Sequence, residues 1–182
     1  MSLLGDRLLA VHAALDTADI PHAIGGAIAL AYCTAEPRAT RDLDVNVFVE
    51  VSAATKVLDA LPAGVQWSAA DLAVIVRDGQ VRLWWEDTPV DLFFDVSDFH
   101  VEVPLTVRQV PFEGQHIPVL GCDELVVFKA MFNRTKDWAD IEAMVETGSV
   151  DMVSASEGRC SAHEGVTPAS QWNATQRVTF GH

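Results

Sequence analysis

Apolar residues recur at helical spacing at the start of the chain. Leu4, Leu8, Val11 and Leu15 share one face, which predicts an amphipathic helix over about Ser2 to Ala18. Pro21 punctuates it, and His22 to Ile24 reads as a short strand ending at Gly25-Gly26. The Ala-rich stretch from Ala27 to Tyr32 is the next helix. From Leu43 to Val49 the period drops to two. Leu43, Val45, Val47 and Val49 point one way and Asp44, Asn46 and Phe48 the other, as in a half-buried strand.

Ser52 is placed to cap a helix running to Leu61 and stopped by Pro62 and Gly64. Ser68 with Asp71 resembles a capping box for a short helix ending near Asp78-Gly79, although Leu72 to Val76 suits a strand equally well. Gln80 to Trp85 and Val90 to Phe94 read as strands joined at Asp87-Thr88-Pro89, and a second hairpin spans Val107 to Val119 around Glu113-Gly114. Asp123 is placed to cap a helix with Leu125, Phe128, Met131 and Phe132 on its apolar side. A last helix runs from about Asp137 to Val145 and ends at Gly148. Beyond about Val153 the periodicity is lost, and Ser154 to His182 is polar. The pattern predicts one domain over residues 1–150 and a poorly ordered tail over 151–182.

Composition narrows the class. A chain of 182 residues, 49% hydrophobic and 21% charged, suits one globular domain with an extension. The longest nearly apolar run, Ala23 to Cys33, is well short of the ~20 residues a membrane helix needs. Asp6 and Arg7 interrupt the N-terminal apolar stretch and no cleavage site follows, so a signal peptide is not expected. Cys33, Cys122 and Cys160 are odd in number and widely spaced. Neither a disulfide framework nor a zinc site follows from them, and a reducing cytoplasm is the expected location. The formal net charge of −14 repels nucleic acid unless a local basic patch offsets it, and attracts small cationic substrates.

The residues with chemical promise lie in two stretches. A strand ending in Gly25-Gly26 before a helix lets backbone approach a ligand closely and aims helix N-terminal amides at it, a phosphate cradle. A plain strand-to-helix turn would look the same. Asp42 and Asp44 stand two apart, so their carboxylates project side by side. Such a pair repels itself unless a cation sits between, and Mg²⁺ is the hard cation that suits it. A solvated strand edge is the alternative. Asp91, within Val90-Asp91-Leu92-Phe93-Phe94, is an acid in an otherwise apolar strand and would complete a metal cluster, with Asp95 as the alternative. Arg38 and Arg41 are close enough to Asp42 to meet a substrate phosphate, or are surface charges.

The ordered set of Gly-Gly, helix, Asp-x-Asp on a strand and a later strand Asp resembles the nucleotidyltransferase superfamily, the fold of polymerase beta. Arg38-Ala39-Thr40-Arg41-Asp42-Leu43-Asp44 looks most like the AbiEii/AbiGii-type toxin branch, as does Lys129 followed by Arg134-Thr135-Lys136-Asp137-Trp138-Ala139-Asp140-Ile141. The resemblance covers about residues 20–146 and implies an α+β fold, with a small mixed sheet flanked by helices and further helices at the C-terminal end. It implies that Gly25 and Gly26 hold a triphosphate. Asp42 and Asp44 would bind Mg²⁺, and Asp91 would help activate the attacking hydroxyl. Lys129 would reach the nucleotide phosphates, though a solvated lysine on an amphipathic helix fits its pattern too, and Asp137 would sit near the same pocket. In such proteins helices normally continue beyond the Lys-Asp segment; here the helical pattern fades after Met152.

Three functions are open at this point. The first is a toxin that adds nucleotides to RNA, foremost the tRNA 3′ end, and is neutralised by an antitoxin protein. The second is an enzyme that adenylylates a small antibiotic of aminoglycoside type. The third is a nucleotidyltransferase-like module that binds without turnover. Thr40, two residues before Asp42, is expected to switch the protein off if phosphorylated, because the phosphate adds negative charge beside carboxylates that need a cation.

Overall fold

The computed structural model describes residues 3–95, 104 and 106–150, which fall within a compact unit of Met1–Val150. The expected polar tail lies outside the described residues. The elements are α1 (Leu3–Thr17), β1 (His22–Ile24), α2 (Gly26–Thr34), β2 (Leu43–Glu50), α3 (Ala54–Ala60), β3 (Val65–Gln66) and α4 (Ala69–Asp78). They continue with β4 (Gln80–Trp85), β5 (Thr88–Asp95), β6 (Arg108–Phe112), β7 (Gln115–Val119), α5 (Cys122–Phe132) and α6 (Thr135–Glu146). This is the expected α+β arrangement, with helices packed on a mixed sheet of strand order β3-β4-β5-β2-β1-β7-β6.

Strands β2 and β5 are parallel neighbours near the middle of the sheet, and β1 runs parallel to β7; the other neighbours are antiparallel. The alternation seen in the sequence explains the core face. Leu43, Val45 and Val47 of β2 are fully buried, as are Val90 and Leu92 of β5, while Leu8, Val11 and Leu15 of α1 supply part of the packing layer. Burying each such side chain stabilises the fold by about 2 kcal/mol. The pleat then leaves the alternate residues, Asp44 and Asp91 among them, on the opposite face.

The helix expected after Ser68 and Asp71 is present and includes Leu72 to Val76, with the Ser68 N–H donating to the Asp71 carboxylate at 2.8 Å. Other local expectations are corrected. Ser52 lies in a 3₁₀ turn, Val51–Ala53, and its hydroxyl donates to the Glu50 carboxylate at 3.3 Å rather than capping a helix. The β4–β5 turn is Glu86-Asp87, with Glu86 at a φ of +54°, and Thr88-Pro89 already belong to the strand. Gly121, not Asp123, occupies the cap of α5.

The largest correction concerns the cysteines. Cys33 and Cys122 form a disulfide, with Cα atoms 5.7 Å apart. They are separated by 89 residues, and the packing of α2 against α5 brings them together. The cysteine-based reason for expecting a reducing cytoplasm therefore falls. Among the described residues no helix is long and apolar enough to cross a membrane.

Candidate active site

The site starts where β1 gives way to α2. Gly26 has a φ of +54°, and a Cβ there would collide with the Asp44 carboxylate. At Gly25 a Cβ would stand 2.7 Å from Asn46 Nδ2. Gly26 thus requires glycine for its backbone, and at Gly25 a side chain would have to displace Asn46. The Gly25 N–H donates to the Asp44 carbonyl at 2.8 Å, which fastens the loop to β2 beside the candidate metal ligand. No side chain caps α2 at Gly25, so the amides of its first turn are donors that the helix can offer to an anion.

Sheet register brings the carboxylates together. Asp44 of β2 lies directly opposite Asp91 of β5, and Asp91 lies opposite Arg82 of β4. Asp42 immediately precedes β2, and its carboxylate accepts a hydrogen bond from the Thr40 hydroxyl. Asp95 sits at the far end of β5 opposite Glu50, away from this group. Burial, followed by the charges of Asp42 and Asp91, pushes Asp44 up from its ordinary 3.8 to about 7, against the opposing pull of Lys129 and Arg134. The shift marks first a desolvated carboxyl and second the repulsion of its two acidic neighbours.

Asp91 is 9% exposed, and Arg82 grips it edge-on, with Nε and Nη2 donating to its two oxygens at 2.7 and 2.6 Å. Among the described residues no three side chains already stand in a metal-holding arrangement. The donor set nevertheless fits Mg²⁺: hard oxygen ligands, one of them destabilised as an anion by burial and by its acidic neighbours.

Cations arrive from α5 and α6. Lys129 is buried, and its Nζ donates to Asp140 Oδ2 at 2.7 Å and lies 3.8 Å from Asp137 Oδ1. It is therefore not the solvated lysine that an amphipathic helix would also allow. Arg38 reaches the other oxygen of the same Asp140 from the segment between α2 and β2. Arg134 Nε and Nη2 donate to Asp137 at 2.6 and 3.1 Å. Burial alone would raise Asp137, but hydrogen bonds and charge from Arg134, with the charge of Lys129, hold it below the ordinary carboxylate range.

The structure thus gathers Asp42, Asp44 and Asp91 beside Gly25-Gly26, with Lys129 within electrostatic reach of Asp44 and Asp137 behind it. Arg38 joins through Asp140. Arg41 is exposed, and its charge acts on Asp87 at the β4–β5 turn. Sequence reasoning missed Asp140, which holds two of the candidate cations, and the fork of Arg82. The signals were faint: Asp140 lies three residues after Asp137 on one helix face, and Arg82 alternates with the buried Val81 and Leu83.

No protein-family model and no curated protein sequence matches the chain. Solved structures do match it in shape. The antibiotic-resistance factor ANT(2'')-Ia in solution is similar over 79% of this chain and 83% of its own, with a TM-score of 0.57 at 12% identity. Its crystal structure in complex with adenylyl-2''-tobramycin matches over 80% and 90%, with a TM-score of 0.57 at 13% identity. The lincomycin-bound lincosamide antibiotic adenylyltransferase LnuA matches over 78% and 96%, with a TM-score of 0.52 at 12% identity. Likeness at such identities is likeness of fold. With its mixed sheet and with Asp44 and Asp91 side by side on β2 and β5, this chain has the nucleotidyltransferase fold.

Proposed function

We propose that the protein moves a nucleoside monophosphate from a nucleoside triphosphate to a hydroxyl of a small cationic acceptor. One observation carries this reading: Asp44 and Asp91 are cross-strand neighbours, with Asp42 just before β2, and Asp44 stands directly against the open N-terminus of α2. In it, the α2 amides at Gly25 and Gly26 bind triphosphate oxygens, and Lys129 and Arg38 add positive charge once the nucleotide draws them from Asp140. Asp42, Asp44 and Asp91 would hold Mg²⁺, which when bound neutralises phosphate charge and eases departure of pyrophosphate. Asp91 takes the proton of the acceptor hydroxyl as that oxygen bonds to the α-phosphorus and the bond to pyrophosphate breaks. The need for nucleoside triphosphate favours a cytoplasmic setting.

The choice of acceptor follows from charge. The net charge is −14, and Arg38, Arg77, Arg82, Lys129 and Arg134 are each engaged by a carboxylate rather than presented together as a basic surface. That favours a cationic small molecule over a polyanion. The neighbouring folds named above belong to proteins that act on antibiotics, which supports the same side. A second reading keeps RNA as acceptor, with the protein as an AbiEii-type toxin working on tRNA under an antitoxin. It rests on the Arg38-to-Asp44 and Lys136-Asp137 motifs.

A labelling matrix tests the choice: each α-labelled nucleoside triphosphate with Mg²⁺, against aminoglycosides, lincosamides and tRNA. Label on a small drug is the expected result. Label on tRNA alone would replace this reading with the toxin one. Binding of Mg²⁺ and nucleotide with no label on any acceptor would favour the non-catalytic module.

A further inference from the structure

Arg82 has no part in the nucleotidyl transfer described above, yet it engages both oxygens of one of the three carboxylates. It lies on β4 directly opposite Asp91, its side chain is 38% exposed, and its fork engages both Asp91 oxygens. Asp42 and Asp44 also act on its charge. We propose that Arg82 is a resident counter-cation that holds Asp91 until a divalent cation takes that carboxylate over, so that Arg82 sets the threshold for metal loading. The inference rests on the metal reading given above.

Geometry supports competition rather than simple bracing. A guanidinium fork lying edge-on occupies the in-plane oxygen positions of Asp91 that a hard cation would use. The fork is a two-point contact to a buried carboxylate, so a cation must displace it, and a doubly charged ion outcompetes a singly charged one for a group of three anions. Arg82 also lies on the face of β4 away from the core. Its neighbours Val81 and Leu83 are buried on the other face of β4 and keep the strand in place while the long side chain swings to solvent. Lys129 and Arg134 act on Asp44 from a distance while bonded to Asp140 and Asp137, so their removal changes the field and not the occupancy of Asp91.

The test is calorimetric titration of Mn²⁺ into the full chain, without nucleotide or acceptor, for wild type, Arg82→Gln, Arg82→Lys, Arg134→Gln and Asp44→Asn. Arg82→Gln should bind Mn²⁺ about tenfold more tightly. Arg82→Lys should fall between, because it keeps the charge and loses the fork, and Arg134→Gln should change affinity by much less. In wild type, Mg²⁺ should also speed solvent exchange of the Arg82 Nε–H in the NMR spectrum as the fork opens. Equal or weaker Mn²⁺ binding in Arg82→Gln, or equal tightening in Arg134→Gln, with binding still abolished in Asp44→Asn, would overturn the competition and leave the metal site standing. No Mn²⁺ binding in any variant, wild type included, would remove the metal reading and this inference with it.

Discussion

Two ionic groups on this sheet behave in opposite ways. At the β4–β5 turn, Arg7 of α1 is 3% exposed; it donates to Asp87 at 2.9 Å and also bonds Glu86 and Thr88, while its guanidinium lies 5.7 Å from the Trp85 ring centroid. The carboxylates it meets are themselves exposed, at 77% and 85%, so water shares their charge. This group is at rest, and it ties α1 to the hairpin. On the β2–β5 face the balance is reversed. Asp42, Asp44 and Asp91 crowd together, and burial with mutual repulsion drives Asp44 to about 7. A buried cation met by solvated carboxylates holds elements together; crowded carboxylates with few cations among them point to a partner of the other sign.

Substitutions can break that contrast. The largest expected effect is on Asp44. Asp44→Asn should lower nucleotidyl transfer by about a thousandfold or more, the loss of an anchor for metal-assisted chemistry, while the melting temperature at pH 7.5 stays the same or rises. A fall in melting temperature would make Asp44 a structural residue like Arg7. Gly26→Ala comes next. The strained backbone and the collision with Asp44 should destabilise the fold by about 2 kcal/mol, read by denaturant unfolding, and weaken nucleotide binding as well.

Arg7→Ala should show the inverse of Asp44→Asn. Loss of the buried stem and its hydrogen bonds should destabilise the fold by about 2 kcal/mol, with little change in transfer rate well below the melting temperature. A smaller effect belongs to Thr40, whose hydroxyl bonds the Asp42 carboxylate. Thr40→Glu should reduce metal affinity and activity together, and full activity would contradict a regulatory role there.

The pH dependence of stability separates the two groups again. Asp44 keeps its proton in the folded state up to about 7, whereas the unfolded chain releases it near 3.8. Metal-free wild type should therefore lose stability as pH rises from about 4 to about 7, relative to Asp44→Asn, with no further relative loss above that range. A flat difference between the two proteins would show that Asp44 is not under this strain.

Much of the scaffold was legible in the sequence because its signals are local. The alternation from Leu43 to Val49 gave β2 its two faces, and Ser68 with Asp71 marked α4. Asp42, Asp44 and the glycine pair were legible for the same reason, since their spacing is set within a single strand or turn. What escaped depends on pairing across long separations. Asp91 was joined to Asp42 and Asp44 through the family resemblance rather than through any local period, and that Arg82 grips Asp91 follows from the β4–β5 register. The Cys33–Cys122 bridge and the shared hold of Arg38 and Lys129 on Asp140 require α2, α5 and α6 already in place. No period along the chain encodes such meetings.

If Asp42, Asp44 and Asp91 hold Mg²⁺, the cation must displace the proton that burial and the two acidic neighbours favour on Asp44. Calorimetry of Mg²⁺ binding at pH 6, repeated in buffers of different ionisation enthalpy, measures that proton directly. The expected result is release of about one proton per Mg²⁺ bound by wild type, and neither binding nor release by Asp44→Asn. Mg²⁺ binding to wild type without proton release, or no Mg²⁺ binding at all, would contradict the claim.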